Sequence, residues 1–173
     1  GAEWEKPVYG AVLVVVITRW QTTTIDNIVC KLRNIKVTVD YAADLKSQLD
    51  PTFTTMTVAL DKSELTYLFD ESRGGYFAPI AAENTLVLTF KCRYTGTTKD
   101  IVMTNEITGV RAAQWRKINV VVQHAADGTA TIGIKCDTWT SDEEVVFDTS
   151  VSLFEEVLVD DSDLPEINFE GHD

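Results

Sequence analysis

The stretch WRKINVVVQHAADGTATIGIKCD, residues 115–137, reads as a single β-hairpin. Ile118, Val120 and Val122 alternate with Lys117, Asn119 and Gln123, so one face of the outgoing strand is apolar and the other mostly polar. Ala125-Ala126-Asp127-Gly128 supplies the turn, and Gly128 can take the positive φ that closes such a loop. The return strand sets Ala130, Ile132, Ile134 and Cys136 against Thr131, Gly133, Lys135 and Asp137. Two period-2 segments joined by a tight turn need a packed antiparallel sheet to bury their common face.

Working outward, the same signals recur. Val8–Thr18 reads as the first strand, and its core, Ala11–Ile17, is apolar throughout, as in a strand buried on both faces. Ile28–Tyr41 is a long strand whose inward phase slips near Arg33-Asn34, the mark of a bulge or a bend between sheets. Leu45 and Leu49 are spaced as on a helix, with Pro51 beyond, so Ala42–Leu49 predicts one or two helical turns. Thr54–Leu60 and Glu64–Phe69 form a second hairpin through Asp61-Lys62-Ser63. Tyr76–Ala78 reads as a short edge segment ended by Pro79. Leu86–Tyr94 alternates cleanly and returns through Ile101–Ile107; Val145–Phe147 and Val151–Val159 are candidate final strands. Nine or ten short strands with one short helix predict an all-β fold: a two-layer antiparallel sandwich of the immunoglobulin-like or transthyretin-like kind. The domain is expected over residues 8–160, with 1–7 a tag scar and leader remnant and 161–173 an acidic tail or linker.

Charge narrows the partners. Residues 1–140 hold 15 acids and 15 Lys/Arg, whereas 12 carboxylates and no Lys or Arg follow Thr140. A neutral body with an acidic end lacks the clustered cations that nucleic acid or anionic lipid requires, so neither is expected as a partner. Ala11–Ile17 is too short to span a bilayer as a helix. Cys30, Cys92 and Cys136 each share a strand phase with Ile, Leu or Phe neighbours and are expected to point inward. A Cys92–Cys136 bridge needs their strands to face each other, which the sequence leaves open.

Little in the chain reads as chemistry. His124 and His172 stand in no nucleophile motif with Ser or Cys, and no zinc spacing occurs, so no catalytic residue, metal site or cofactor is expected. Ser72-Arg73-Gly74-Gly75 lacks the pattern of a phosphate loop; it reads as a turn in which Arg73 pairs with Asp70 or Glu71 and one glycine takes positive φ. Asp160-Asp161-Ser162-Asp163 lacks EF-hand spacing and reads as a polar linker. Trp4, Trp20, Trp115 and Trp139 fall at strand ends or termini, where tryptophans lid a sandwich core. Trp20 and Trp139 are the candidate ligand-binding residues, as stacking surfaces for sugar rings.

Two blocks carry a resemblance. One runs from Ile35-Lys36-Val37-Thr38-Val39 through Tyr41-Ala42-Ala43-Asp44-Leu45-Lys46 to Phe69-Asp70-Glu71-Ser72-Arg73-Gly74-Gly75-Tyr76-Phe77. The other is Gln114-Trp115-Arg116-Lys117-Ile118-Asn119-Val120 with its hairpin partner ending at Cys136. Together with Gly10-Ala11-Val12-Leu13 they resemble a domain family of unknown function in Bacteroides-type surface lipoproteins, grouped with cell-adhesion and fimbrillin-like proteins. The resemblance implies export, a lipid anchor ahead of residue 1 and display at the outer membrane. It carries over no catalytic residue. The expected role is a non-catalytic structural or adhesion module that binds other surface proteins or glycans. A glycan-binding module using exposed Trp, or a carbohydrate-active hydrolase, stands as the alternative.

Overall fold

The computed structural model describes residues 1–12, 14–22, 30–124, 126, 128, 130–140 and 152–158. Twelve strands and one helical turn make up the described chain: β1 (Ala2–Trp4), β2 (Tyr9–Gly10), β3 (Lys31–Leu32), β4 (Ile35–Tyr41), α1 (Ala43–Lys46), β5 (Thr55–Leu60), β6 (Ser63–Leu68), β7 (Gly75–Phe77), β8 (Asn84–Cys92), β9 (Ile101–Val110), β10 (Gln114–His124), β11 (Ala130–Thr140) and β12 (Ser152–Leu158). They form a six-stranded sheet in the order β1-β7-β4-β10-β11-β12, a four-stranded sheet β6-β5-β8-β9, and the small pair β2-β3. The fold is all-β and the two larger sheets pack as a sandwich.

The deciding hairpin forms as its alternation dictates. Ile118 pairs with Cys136, Val120 with Ile134 and Val122 with Ile132, and Gly128 has φ +86°. The buried side chains of β10 and β11 share one core with Ile35, Val37 and Val39 of β4, Met56, Val58 and Leu60 of β5, and Leu86, Leu88 and Phe90 of β8. The phase slip at Arg33-Asn34 is the bend at which β3, in the small pair, gives way to β4 in the large sheet. One neighbour pair departs from the antiparallel expectation: β4 runs parallel to β10, with Trp115 beside Lys36 and Ile118 beside Val39. Parallel neighbours need a long crossover, and everything from α1 to β9 supplies it.

Several local expectations are corrected. Tyr76 and its neighbours do not make an edge, because β7 lies between β1 and β4. The sandwich also takes in residues ahead of position 8: β1 pairs with β7, and the Trp4 ring meets Tyr67 edge-on at 4.6 Å. Neither Gly74 nor Gly75 is among the positive-φ residues. Gly75 serves close approach instead, since a Cβ there would overlap the Tyr67 hydroxyl, which crosses to donate to the Val37 carbonyl at 2.9 Å. Arg73 does pair with Glu71, through two hydrogen bonds of 2.8 and 2.9 Å that hold the carboxyl below the usual range.

The largest departure is Val8–Thr18. Only Tyr9–Gly10 is strand there, paired with Lys31–Leu32, and none of the other described residues of that run joins a sheet. Val12, Val14, Val16 and Ile17 are 77–88 % exposed, odd and even positions alike. Cys30 is exposed as well, because the strand begins at Lys31 and the phase counted from Leu32 does not reach back to it.

Candidate functional site

The two tryptophans picked out by the sequence lie in different settings. Trp20 is 87 % exposed at a turn closed by a Gln21 N–H to Thr18 carbonyl bond of 3.2 Å, with φ +66° and the Arg19 guanidinium 5.2 Å from its ring. It stands at the end of the exposed apolar run, in which Val12, Val14, Val16 and Ile17 are exposed as well. Large apolar side chains left exposed together on one segment are candidates for a contact surface.

Trp139 is half-buried, contrary to its expected exposure. It pairs across the hairpin with Trp115, ring centroids 5.6 Å apart. Trp115 donates its indole N–H to Thr38 Oγ1 at 2.9 Å and carries the Lys36 ammonium 4.4 Å from its ring. The register continues this line: Lys36 is opposite Tyr76, and Tyr76 opposite Glu3. Trp139, Trp115, Lys36, Tyr76 and Glu3 therefore make a cross-strand row on the outer face of five adjacent strands. Trp139 keeps a buried indole N–H without a hydrogen-bond partner. Below the row the face turns polar, with Asn119 Nδ2 donating to Asp137 and Lys117 3.8 Å from Asp40.

The row ends at a cleft of about 320 Å³ between the β1–β7 edge and the β2–β3 pair. Val8, Tyr76, Ala78 and Pro79 give it apolar walls; Arg33, Lys6, Glu3 and Asn34 give it polar ones, and Gly1 borders it. Buried Asn34 fixes those walls. Its Oδ1 accepts from the Val8 N–H at 3.1 Å and its Nδ2 donates to the Lys6 carbonyl at 3.2 Å.

Inside the sandwich, the Cys92 and Cys136 thiols are buried and free, on different sheets. Burial pushes Cys92 up to about 12; it also pushes Cys136 up, to about 11, against the opposing pull of the Arg116 guanidinium. Raised thiols are poor nucleophiles. Arg116 is itself buried and bonded to neutral acceptors: Thr138 Oγ1 at 2.6 Å, the Gly109 carbonyl at 3.1 Å and Gln114 Oε1 at 3.0 Å. Among the described residues no three His, Cys, Asp or Glu side chains are grouped to hold a metal ion. Asp160–Asp163, His172, the His124 side chain and Val145–Phe147 lie outside what is described.

Comparison with known proteins places this architecture. A family model for a domain of unknown function, DUF4493, matches residues 1–151. The chain belongs to the DUF4493 family. No curated protein and no solved structure matches it significantly. In this DUF4493 domain the sequence pointed to Trp20 and Trp139 but missed Lys36, Tyr76 and Arg33. Their alignment depends on β4 lying parallel to β10 and on β7 lying beside β4, pairings between residues far apart in the chain that no local pattern announces.

Proposed function

We propose that this DUF4493 domain is a non-catalytic adhesion or binding module, displayed at the cell surface as part of an exported lipoprotein of the Bacteroides type and grouped with fimbrillin-like proteins. Its partners are other surface proteins or glycans. One observation carries the reading: beside a packed sandwich core the chain presents the exposed β-branched side chains of Val12, Val14, Val16 and Ile17, followed by the exposed Trp20. Such side chains gain about 25 cal/mol for each Å² of apolar surface that a partner covers. A membrane enters only through a lipid anchor ahead of the domain.

Display is tested by treating intact cells that carry the full-length protein with protease. Loss of the domain supports the proposal; survival in intact cells with loss only after lysis refutes it. Adhesion is tested with Val14→Lys and Trp20→Ala, which should weaken cell attachment while leaving the melting temperature in place.

A second reading rests on the Trp115–Trp139 pair, whose outer-face position suits stacking against a sugar ring. A carbohydrate array separates the two: a hit abolished by Trp139→Ala supports glycan binding through the row, and a hit abolished by Trp20→Ala assigns it to the exposed segment.

A further inference from the structure

The cleft beside the row holds a cation, Arg33, that no described carboxylate pairs with. Arg33 sits in the bend between β3 and β4, and its backbone N–H donates to the Val8 carbonyl at 2.6 Å. Its side chain lies across Gly10, where a Cβ would stand 3.0 Å from Nε, so the absence of a side chain at position 10 makes room for the guanidinium. Among the described residues no carboxylate pairs with it, whereas Lys6, across the cleft, is already matched by Glu3 at 2.9 Å.

We infer that this cleft is a binding site for a carboxylate-bearing sugar unit. A planar guanidinium recognises carboxylate and phosphate alike through paired N–H donors. A bare inorganic anion would leave the Val8, Tyr76 and Pro79 walls uncovered, and the cleft is at the small end of ligand pockets, the size of one ring. The Glu3 carboxylate and Tyr76 phenol offer acceptor and donor groups to ring hydroxyls, which a purely apolar acid lacks. The walls are fixed before any ligand arrives, because Asn34 clamps Lys6 and Val8 through one buried carboxamide. That lowers the ordering cost of binding. The cleft lining includes none of Val12, Val14, Val16, Ile17 or Trp20, and the site goes beyond the adhesion reading.

The test is an NMR titration of the whole chain with D-glucuronate, D-glucose and inorganic phosphate in parallel. Glucuronate should move the amide signals of Lys6, Arg33 and Tyr76, with glucose and phosphate far weaker. Arg33→Gln, at an exposed position, should keep its melting temperature and bind glucuronate about tenfold or more weakly, the loss expected for a charge-assisted hydrogen-bonded pair. Gly10→Ala, which crowds Nε, should weaken binding in the same direction. Glucose binding as tightly as glucuronate, phosphate binding as tightly, unchanged affinity in Arg33→Gln, or no response to glucuronate would each overturn the assignment. Adhesion lost in Val14→Lys is a separate readout, so the two proposals fail independently.

Discussion

Leu86-Val87-Leu88-Thr89-Phe90-Lys91-Cys92 and Ala11-Val12-Leu13-Val14-Val15-Val16-Ile17 are both seven-residue runs that read as strands, and their fates are opposite. In the first, Leu86, Leu88, Phe90 and Cys92 are buried without remainder while Lys91 is exposed. In the second, every described side chain is exposed. The difference is alternation. Thr89 and Lys91 tell the first run which face belongs to water, and that fixes its register against β5 and β9. The second run carries no such instruction. Both of its faces ask for cover, and the sandwich already has its core filled from β4, β5, β8, β10 and β11.

The comparison breaks most visibly under truncation. Phe90→Ala should cost about 4 kcal/mol, because a fully buried ring leaves a cavity that the two sheets cannot close. Chemical denaturation measures it. A loss under 1 kcal/mol would mean that β8 is not the packed partner it is taken to be.

Next in size is the tightest contact of the packed region. Gly75→Ala should cost about 3 kcal/mol, because the new methyl displaces the Tyr67 hydroxyl and its bond to Val37. In a Tyr67→Phe background the same substitution should cost less, and a double-mutant cycle reads the coupling. Equal costs in both backgrounds would show that the hydroxyl is not what Gly75 makes room for.

A smaller effect separates the cysteines and depends on pH. Cys30 should react with a thiol reagent in the folded protein, giving one equivalent per chain, with two more after unfolding. Because folding raises Cys92 from 9.0 to about 12 and Cys136 from 9.0 to about 11, the native state holds those protons longer than the unfolded chain. Their contribution is therefore intact below about pH 9 and is lost as pH climbs from there toward 11–12. Denaturation midpoints across alkaline pH check this, and Cys92→Val should flatten the decline.

The smallest effect is expected where the sequence looks most hydrophobic. Val14→Ala should change stability by no more than about 0.5 kcal/mol, as for an exposed substitution. A cost of 1 kcal/mol or more would place Val14 in a packed environment.

What could be read in advance follows the same line. The Trp115 hairpin was legible residue by residue because its alternation, turn glycine and length agreed. The bend at Arg33-Asn34 was legible because a phase slip has few structural meanings. Ala11–Ile17 misled because a β-branched run resembles a strand buried on both faces, and sequence does not show whether neighbours exist to bury it. Cys30 misled for a related reason: counting by twos assumed a strand that starts only at Lys31. At the candidate sites, Trp20 and Trp139 stood out as aromatics. The Lys36–Tyr76 continuation arises from a pairing across 40 residues, the Arg33 cleft from contacts across 20 or more, and Gly75 from a tyrosine arriving from another strand.

Hydrogen–deuterium exchange tests the central contrast most directly, in the isolated domain, with peptides covering residues 11–17 and 86–92 compared at the same pH. The account predicts that 86–92 stays protected until global unfolding, while 11–17 exchanges at close to the rate of an open chain. Protection of 11–17 equal to that of 86–92 would mean that the run is a sheet strand after all, and the exposed apolar contact surface would be withdrawn.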